Sequence, residues 1–336
     1  MKLMLSAVLL LASAAVLPAA KNLEVYFIDV EGGQATLLVS PSGESMLVDT
    51  GWGGNNKRDA ERIAAAAKSA GVKQIDYLVI THYHSDHVGG VSQLAGLMPI
   101  RNFVDHGATV ETSRNAEILF KQYEDERSKG KHLQVKPGDK IPIKDLDVQV
   151  VAAGGAALSA PVKGAGQPND ACASFQQKEY PNTEDPYSVG VLVRYGNFSL
   201  LDLGDLTWNR EFDLVCPTSK LGSVDVYVTG MHGNDASGSP QLLRGITPRI
   251  AVMNNGARKG GVASTWQLLK QSKGLEDIWQ LHFAVRGGAE NNSPDMLIAN
   301  LNEPCEGKWI KLTAQKDRSF TVSNSRNKYE KAYAKR

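Results

Sequence analysis

The 336-residue sequence contains few of the residues that build redox and metal sites, with three cysteines and seven histidines. Cys172, Cys216 and Cys305 do not form a closely spaced pair, which argues against a structural zinc site made of thiolates. Two of them can form a disulfide in an oxidising compartment, and one is then left over. Their spacing does not show which two would pair, so the pairing stays open at this point.

The chain also lacks an excess of charge of either sign. The first twenty residues contain Lys2 and no acidic residue, so 36 basic and 36 acidic residues remain after them. A net charge near zero gives no general attraction to nucleic acid or to anionic membranes, and nucleic acid is therefore not a favoured partner. The segment 326–336, RNKYEKAYAKR, is basic, and we interpret it as a solvated, frayed tail outside the folded domain.

Long hydrophobic runs are missing except at the beginning of the chain. Residues 1–20 combine Lys2, an apolar run from Leu3 to Leu17, and the small residues Ala19 and Ala20. This pattern is typical of a cleaved secretory signal peptide, and the run is short for an uncleaved membrane anchor. We expect a mature protein that is periplasmic or secreted and has no stable membrane span.

Residues 21–325 are predicted to form one α/β domain, because short β-rich runs alternate with helical stretches. Strands are predicted at 23–30, 35–40, 45–51, 75–82, 101–107, 146–155, 189–196, 198–205, 224–233, 249–256 and 277–284, helices at 57–71 and 112–130, and a closing hairpin over 308–324. The stretch 154–186 is rich in Ala, Gly, Pro and Ser and is too long for a plain connection. It is predicted to be a surface loop near a functional site or a partly mobile insertion.

Residues of metal-binding type recur at the ends of the predicted strands. They are Asp29, Asp49, His82, His106, Asp205, His232 and His282. In open α/β sheets, functional sites assemble at strand ends and in the loops beyond them. Each of these residues alone could be a turn cap or a hydrogen-bonded core residue, but together they indicate one shared site.

The segment THYHSDHVGG, residues 81–90, contains three of the seven histidines. His82, His84, Asp86 and His87 follow the pattern His-x-His-x-Asp-His directly after a predicted buried strand. A loop leaving a strand can direct two alternate imidazoles at one ion, and the following turn can direct Asp86 and His87 at a second. Neutral imidazole and carboxylate suit a borderline cation such as Zn²⁺.

At these residues the chain resembles the metallo-β-lactamase superfamily, and within it the metallo-β-lactamase-like domain of bacterial DNA-uptake channel proteins and their exported free-standing relatives. The segment 25–53 resembles the opening strands of that group. LLDLGD (200–205) is similar to the strand whose last aspartate bridges two metals, and VTGMHGNDAS (228–237) is similar to the stretch with the final histidine ligand. The resemblance covers most of the mature chain and implies a four-layer αββα sandwich.

The resemblance also implies roles for individual residues in a zinc-dependent hydrolase with one or two ions, for which Mn²⁺ is an alternative. It assigns His82 and His84 to one ion, Asp86, His87 and His232 to the other, and Asp205 to both as a bridge. Asp49 would orient a metal-binding histidine by accepting its other ring proton. Asp86 and Asp205 are the expected catalytic residues, and Asp86 would also orient the attacking water.

The chain departs from the family pattern at one place. Many members have a further histidine about twenty residues before the bridging aspartate, whereas this chain reads NTEDPYSVG at 182–190. Asp185 can replace that histidine, Ser188 is a weaker substitute, and His106 is a rival candidate; otherwise water completes the first site. His282 and Asn291 follow or end a late strand, where they can face the substrate or serve in the core.

These residues predict hydrolysis by a metal-activated water, and no GxSxG nucleophile motif is present. The resemblance favours a phosphodiester substrate, which can be nucleic acid, although the balanced charge does not favour it, or a small molecule or phosphorylated component of the cell envelope. A lactonase or a β-lactamase-like amide or ester hydrolase is the alternative. A second alternative is a non-catalytic, envelope-associated binding protein with a degenerate metal site, which the missing histidine would favour.

Overall fold

Two β-sheets form the frame of the molecule in the computed structural model, which describes residues 22–180 and 184–336. The strands are β1 (Leu23–Phe27), β2 (Thr36–Val39), β3 (Ser45–Val48), β4 (Ile75–Val79), β5 (Ile100–Asp105), β6 (Lys131–Gln134), β7 (Lys140–Ile141), β8 (Asp147–Ala153), β9 (Ala156–Ala157), β10 (Gly190–Tyr195), β11 (Phe198–Asp202), β12 (Val226–Val228), β13 (Ile250–Met253), β14 (Asp277–His282), β15 (Ile298–Asn300), β16 (Ile310–Ala314), β17 (Phe320–Asn324) and β18 (Glu330–Tyr333). The predicted signal peptide, residues 1–20, lies outside the described residues.

The first sheet has the strand order β18-β17-β16-β1-β2-β3-β4-β5-β6. The second has the order β15-β14-β13-β12-β11-β10-β8-β7, with β9 paired to β8. Strands β3 to β6 are mutually parallel in the first sheet, and β11 to β15 are mutually parallel in the second. Each sheet therefore has a set of parallel strands whose carboxyl ends lie at one edge.

Within residues 22–180 and 184–336, six α-helices cover the outer faces of the two sheets. They are α1 (Arg58–Ser69), α2 (Val91–Ala95), α3 (Arg114–Arg127), α4 (Trp208–Val215), α5 (Pro240–Ile246) and α6 (Ala263–Gln271). One outer core contains side chains of α1 to α3 packed on the first sheet, and another contains side chains of α4 to α6 packed on the second. No helix in the described part of the chain is both long and apolar enough to span a membrane.

Successive side chains of each strand alternate between the two faces of the sheet, and this alternation explains the layers. In β1, Val25 and Phe27 belong to the core between the sheets, whereas Tyr26 faces the helices of the first sheet. In β13, Val252 lies in the central core and Ala251 faces the helices of the second sheet. Since successive side chains of a strand point to opposite faces, strands that are apolar on both faces must lie between two apolar layers. The predicted four-layer αββα sandwich is confirmed.

The interpretation of residues 326–336 as a frayed tail is wrong. Strand β18 pairs with β17 along the edge of the first sheet, and the Tyr333 ring stacks on Phe320 with 4.6 Å between the ring centroids. The Tyr333 hydroxyl donates to Asp277 Oδ2 over 2.6 Å and accepts from Trp279 Nε1 over 2.9 Å. Two aromatic residues within this basic segment, Tyr329 and Tyr333, pack against the core and anchor it.

The long stretch 154–186 contains little regular structure, and a disulfide joins it to the rest of the protein. Cys172 is bonded to Cys216, which follows α4, and Cys305 is free. The described end of this stretch brings Tyr180 and Asp185 together through a hydrogen bond of 2.6 Å. The bond places the end of the stretch beside the strand edge where the site residues gather.

Candidate metal centre

The loop carrying the His-x-His-x-Asp-His pattern leaves β4 at the edge of the first sheet and is held by backbone contacts. The Thr50 amide donates to the His87 carbonyl over 2.7 Å, and the Gln34 amide donates to the Asp86 carbonyl over 3.1 Å. A Cβ at Gly90 would lie 2.2 Å from the Thr50 carbonyl oxygen, so only glycine fits this approach. The two glycines that end the motif thus let the loop pack against neighbouring backbone.

Three of the predicted ligands form a first group around one point. His82 Nε2 lies 2.9 Å from His84 Nδ1 and 3.2 Å from Asp185 Oδ1, and the latter two atoms are also 2.9 Å apart. The other ring nitrogen of His84 lies 3.3 Å from Glu111 Oε1, which orients the ring with Nδ1 toward the group. Asp185 thus completes this group in place of the further histidine that many family members have and that segment 182–190 lacks.

Four further predicted ligands form a second group: Asp86, His87, Asp205 and His232. His87 Nε2 and His232 Nε2 are 3.3 Å apart. The four contacts between these nitrogens and the carboxylate oxygens of Asp86 and Asp205 measure 3.0–3.4 Å. Metal–ligand bonds of about 2.0–2.2 Å in a tetrahedral site imply ligand–ligand distances of about 3.3 Å. The second group therefore fits a tetrahedral divalent ion.

The two groups adjoin each other, and Asp205 lies between them. The rings of His82 and His87 have centroids 4.1 Å apart. Asp205 Oδ2 contacts the second group, and Oδ1 is buried without a hydrogen-bond partner among the described residues. The charge of Asp205 acts on both His82 and Asp185 of the first group. A buried carboxylate oxygen with no donor is available to a cation, so Asp205 is placed to serve both groups.

Asp49, the expected orienting residue, lies behind the second group. Its Oδ2 accepts from His87 Nδ1 over 2.7 Å and from the Thr81 hydroxyl over 2.7 Å, while Oδ1 accepts from the Thr81 amide over 2.8 Å. Because Nδ1 then carries the proton, the Nε2 lone pair of His87 is directed into the group. Asp49 and His232 both have left-handed backbone, with φ of 60° and 57°. Such positions are uncommon for non-glycine residues and concentrate at functional sites.

The charges of the two groups favour cation binding. Burial would raise the pKa of Asp86 and Asp205, but neighbouring imidazoles outweigh burial and hold both pKa values well below the usual range. Burial likewise opposes ionisation of Asp185, yet His82 and His84 bring its pKa to about 2. All three carboxylates are therefore ionised at neutral pH, and an ion that binds displaces protons shared with the histidines.

Two residues beside the centre were not singled out from the sequence. The Lys259 ammonium contacts Asp86 Oδ2 and lies 4.8 Å from the centroid of the Trp52 ring. The Tyr180 hydroxyl donates to Asp185 Oδ2. Lys259 follows β13, the strand next to the one that precedes His232, and its place in the glycine-rich segment NNGARKGG (254–261) is a signal that could have indicated a loop at the site.

The remaining candidates lie outside both groups. His106 Nε2 bonds Glu184 Oε1 over 3.0 Å and does not join the first group. Ser188 is buried, and its hydroxyl has no hydrogen-bond partner among the described residues. Asn291 donates to the Gly287 carbonyl and accepts from Gln267, which gives it a structural position. His282 bonds Asp29 Oδ1 over 2.8 Å in a separate cluster.

Comparison with known proteins was consistent with this geometry. The family model described as "Metallo-beta-lactamase superfamily" matches residues 28–215, more than half of the chain. ComE operon protein 3 of Bacillus subtilis is 24% identical over 249 residues, which are 69% of this chain and 28% of that protein. Recombination protein 2 of Haemophilus influenzae is 23% identical over 235 residues, 69% of this chain and 24% of that protein. Ribonuclease Z of Methanopyrus kandleri is 29% identical over 117 residues, 34% of this chain and 37% of that protein.

The chain spans only about a quarter of the length of the first two relatives. These two relatives confirm the resemblance to DNA-uptake proteins that the sequence indicated, at the level of one shared domain. The family match includes the His-x-His-x-Asp-His loop and Asp205, and it ends before His232. By this match and by its αββα fold, the chain belongs to the metallo-β-lactamase superfamily.

Proposed function

We propose that the protein is an exported hydrolase that uses two divalent ions, most simply Zn²⁺ with Mn²⁺ as the alternative, to cleave phosphodiester-type substrates. The observation that carries this proposal is the pair of adjoining ligand groups with Asp205 between them. His82, His84 and Asp185 would hold one ion, and Asp86, His87 and His232 the other, with Asp205 shared. Asp185 and water would complete the first site, and His106 has no part in it.

Bound ions in such a centre supply an activated water and polarise the bond under attack. The side chains of the protein orient the attacking water and the metal-binding histidines. Asp86, ionised and directed into the second group, is placed to accept a hydrogen bond from the attacking water. Asp49 fixes the His87 ring, so that the ring keeps its orientation while negative charge develops on the substrate. The Tyr180 hydroxyl, bonded to Asp185, can turn toward a substrate oxygen at the mouth of the first group.

One cationic side chain at the rim supports an anionic substrate. Lys259 is about one-third exposed and lies between Asp86 and Trp52, so its ammonium can reach an oxygen of a phosphate held at the centre. A cleft of about 970 Å³ is lined by Tyr180, which bonds Asp185, and its charged lining residues are of both signs: Lys178, Glu179, Arg210 and Asp213. Two metal ions and the Lys259 ammonium would stabilise the charge that develops on a phosphoryl group during displacement. About a third of the chain is also similar to Ribonuclease Z, which is by name a ribonuclease, and RNA is a phosphodiester polymer.

Two observations support export. The sequence begins with a segment typical of a signal peptide, and the described chain contains the Cys172–Cys216 disulfide. Disulfides of this kind persist in oxidising compartments such as the periplasm or the extracellular space. The substrate would then be a small molecule or a cell-envelope component. The balanced net charge keeps a long nucleic-acid groove outside the proposal.

A substrate panel tests this function. The purified protein, loaded with Zn²⁺ or Mn²⁺, is assayed with bis-p-nitrophenyl phosphate, a chromogenic cephalosporin and a lactone, with Asp205→Ala as the matched inactive variant. Phosphodiester cleavage that is lost in Asp205→Ala is the expected result. Turnover of the lactone or the cephalosporin alone would make the protein a lactonase or an amide hydrolase. Absence of bound metal after native purification, together with no turnover, would favour a binding protein.

A further inference from the structure

A second cluster of potential ligands lies apart from the proposed hydrolytic centre. Asp29 and Glu31 follow β1, His282 ends β14, and Cys305 lies in the loop before β16. One ligand atom from each of the four lies within 4.8 Å of the others. Asp29 and His282 were expected to join one shared site with the other strand-end residues, but they lie in this separate cluster with Glu31 and Cys305, which the sequence did not indicate.

We propose that Asp29, Glu31, His282 and Cys305 form a separate structural site for one divalent ion of the zinc class. His282 Nε2 lies 2.8 Å from Asp29 Oδ1, 3.5 Å from Glu31 Oε2 and 3.8 Å from Cys305 Sγ. These separations lie around the ligand–ligand distances of about 3.3–3.6 Å expected for a tetrahedral ion bound by oxygen, nitrogen and sulfur. Thiolate, imidazole and carboxylate are also the ligand types that zinc accepts.

Arg62 is the main neighbour of the cluster, and its contacts leave one face open. Its guanidinium bonds Asp29 Oδ2 over 2.8 Å and Glu31 Oε1 over 3.3 Å, and it lies 3.3 Å from Cys305 Sγ. The other oxygen of each carboxylate faces His282. Arg62 can therefore keep both bonds while Asp29 Oδ1 and Glu31 Oε2 bind an ion.

The charges of the cluster balance when an ion is present. Two carboxylates and a thiolate carry three negative charges, and a divalent ion with Arg62 carries three positive charges. Asp29 and His282 are buried, and burying charge is favourable only when it is compensated in this way. Cys305 Sγ lies 3.1 Å from Asp29 Oδ2 and 3.0 Å from Glu31 Oε1, the two oxygens that also bond Arg62.

Two further features fit a binding site. Glu31 has left-handed backbone with φ of 58°, and its amide donates to Asp29 Oδ1 over 2.9 Å. This strained turn presents both carboxylates on one side. Cys305 also borders a cavity of about 360 Å³, lined by Asn300, Pro304 and Lys308, through which an ion can enter. The loop that begins at Asp29 continues to Gln34, whose amide bonds Asp86, so an ion here would brace the hydrolytic centre from behind.

Cobalt substitution distinguishes the two sites, because Cys305 is the free cysteine of the chain and the hydrolytic centre contains no sulfur ligand. Metal-stripped protein is titrated with Co²⁺ while its absorbance is recorded. We expect a thiolate-to-cobalt charge-transfer band in the near ultraviolet that saturates at about one equivalent per chain. The band should persist in His82→Ala, disappear in Cys305→Ser, and be displaced by excess Zn²⁺.

A wild-type titration with visible cobalt bands but no charge-transfer band would overturn the proposal and leave an ion-pair network around Arg62. His282→Gln serves as a second variant should Cys305→Ser fold poorly, and circular dichroism monitors the fold of both. If His282→Gln retains the band at full intensity and affinity, His282 is not a ligand and the four-residue site is refuted. Failure here leaves the proposed hydrolase intact, since that function depends on the other two groups.

Discussion

His87 and Asp49 are joined by a hydrogen bond of 2.7 Å between buried atoms that come from the ends of adjacent parallel strands. The bond fixes both the proton position and the ring orientation of His87. It makes the geometry of the second ligand group depend on a residue that would touch no ion. The same strand pair contains a similar arrangement at its other end, where Asp76 Oδ2 accepts from the amide and hydroxyl of Ser45.

Asp49→Ala is expected to weaken metal binding by about 10- to 100-fold, because the His87 ring loses the acceptor that orients it. Competition with a chromophoric chelator measures the affinity. Asp76→Ala is the matched control, since it removes a buried carboxylate that accepts hydrogen bonds from Ser45 in the same strand pair without touching the centre. Equal affinity losses in both variants would show that Asp49 acts only through stability.

Asp185→Ala is expected to lower the metal content of the protein by one ion per chain, because the first group retains only two ligands of its own. His106→Gln should leave the metal content unchanged, since His106 bonds Glu184 instead. Elemental analysis after equilibrium dialysis against Zn²⁺ measures the number of bound ions per chain in both variants. A loss of metal in His106→Gln with none in Asp185→Ala would reverse the assignment.

Lys259→Met is expected to raise KM for an anionic phosphodiester by about tenfold, as one charge-assisted contact is lost. Steady-state kinetics with a charged and a neutral ester substrate test this, and only the charged substrate should be affected. Arg258→Met is the control, because the neighbouring Arg258 is exposed and paired with Glu303. A fall in kcat with unchanged KM would assign Lys259 to the chemical step instead.

Asp202 is expected to make stability depend on pH in the metal-free protein. Burial raises the pKa of this carboxyl to about 6, against which the Gly204 amide and Gln34 donate only three hydrogen bonds. A carboxyl with a raised folded-state pKa binds more protons folded than unfolded, so stability falls as pH rises from about 4 to 6 and is then constant. Relative to Asp202→Asn, the wild type should lose up to about 3 kcal/mol across this range.

Urea unfolding in EDTA at several pH values measures that difference. Asp170→Asn provides a control of opposite sign, because Arg244 lowers the pKa of the exposed Asp170 carboxyl. If the difference in free energy of unfolding between the wild type and Asp202→Asn does not change with pH, the raised pKa of Asp202 is contradicted.

The double substitution Cys172→Ser with Cys216→Ser is expected to reduce the free energy of unfolding by about 2–4 kcal/mol. The crosslink closes a loop with a sequence separation of 44 residues, whose closure restricts the unfolded chain. Urea unfolding measures the loss, and wild-type protein in reductant should match the variant. The folded variant should keep its full metal content, since neither cysteine lies in a ligand group.

The sequence predicted the fold well where local patterns determine it. Alternating or continuous apolar runs such as those of β1 and β13 define strands directly, and parallel strands separated by helices imply the layered architecture. The prediction of a frayed tail was wrong because it rested on the basic residues of 326–336, whereas Tyr329 and Tyr333 of the same segment pack against the core. The pairing of Cys172 with Cys216 could not be predicted, since it depends on where a long irregular stretch folds back.

The site was predicted best where its residues are close in sequence. His82, His84, Asp86 and His87 form one loop, and a short spacing alone brings them together. Asp185 and His106 could not be separated from sequence, because the choice depends on which strand end faces His84. The contacts of Lys259 with Asp86 and of Cys305 with Asp29 were not predicted, since these pairs are more than 170 residues apart along the chain.

The ligands of the proposed centre come from both halves of the sandwich. His82, His84, Asp86 and His87 belong to the first sheet, whereas Asp185, Asp205 and His232 precede or follow strands of the second. Each half of the sandwich alone therefore provides only part of the ligand set. An ion could bind to all of its ligands only when the two halves are packed together. By mass action, an ion present at a hundred times its dissociation constant would raise the free energy of unfolding by about 2.7 kcal/mol. A bound ion would therefore link the two halves of the sandwich, and removal of metal would weaken the contact between them.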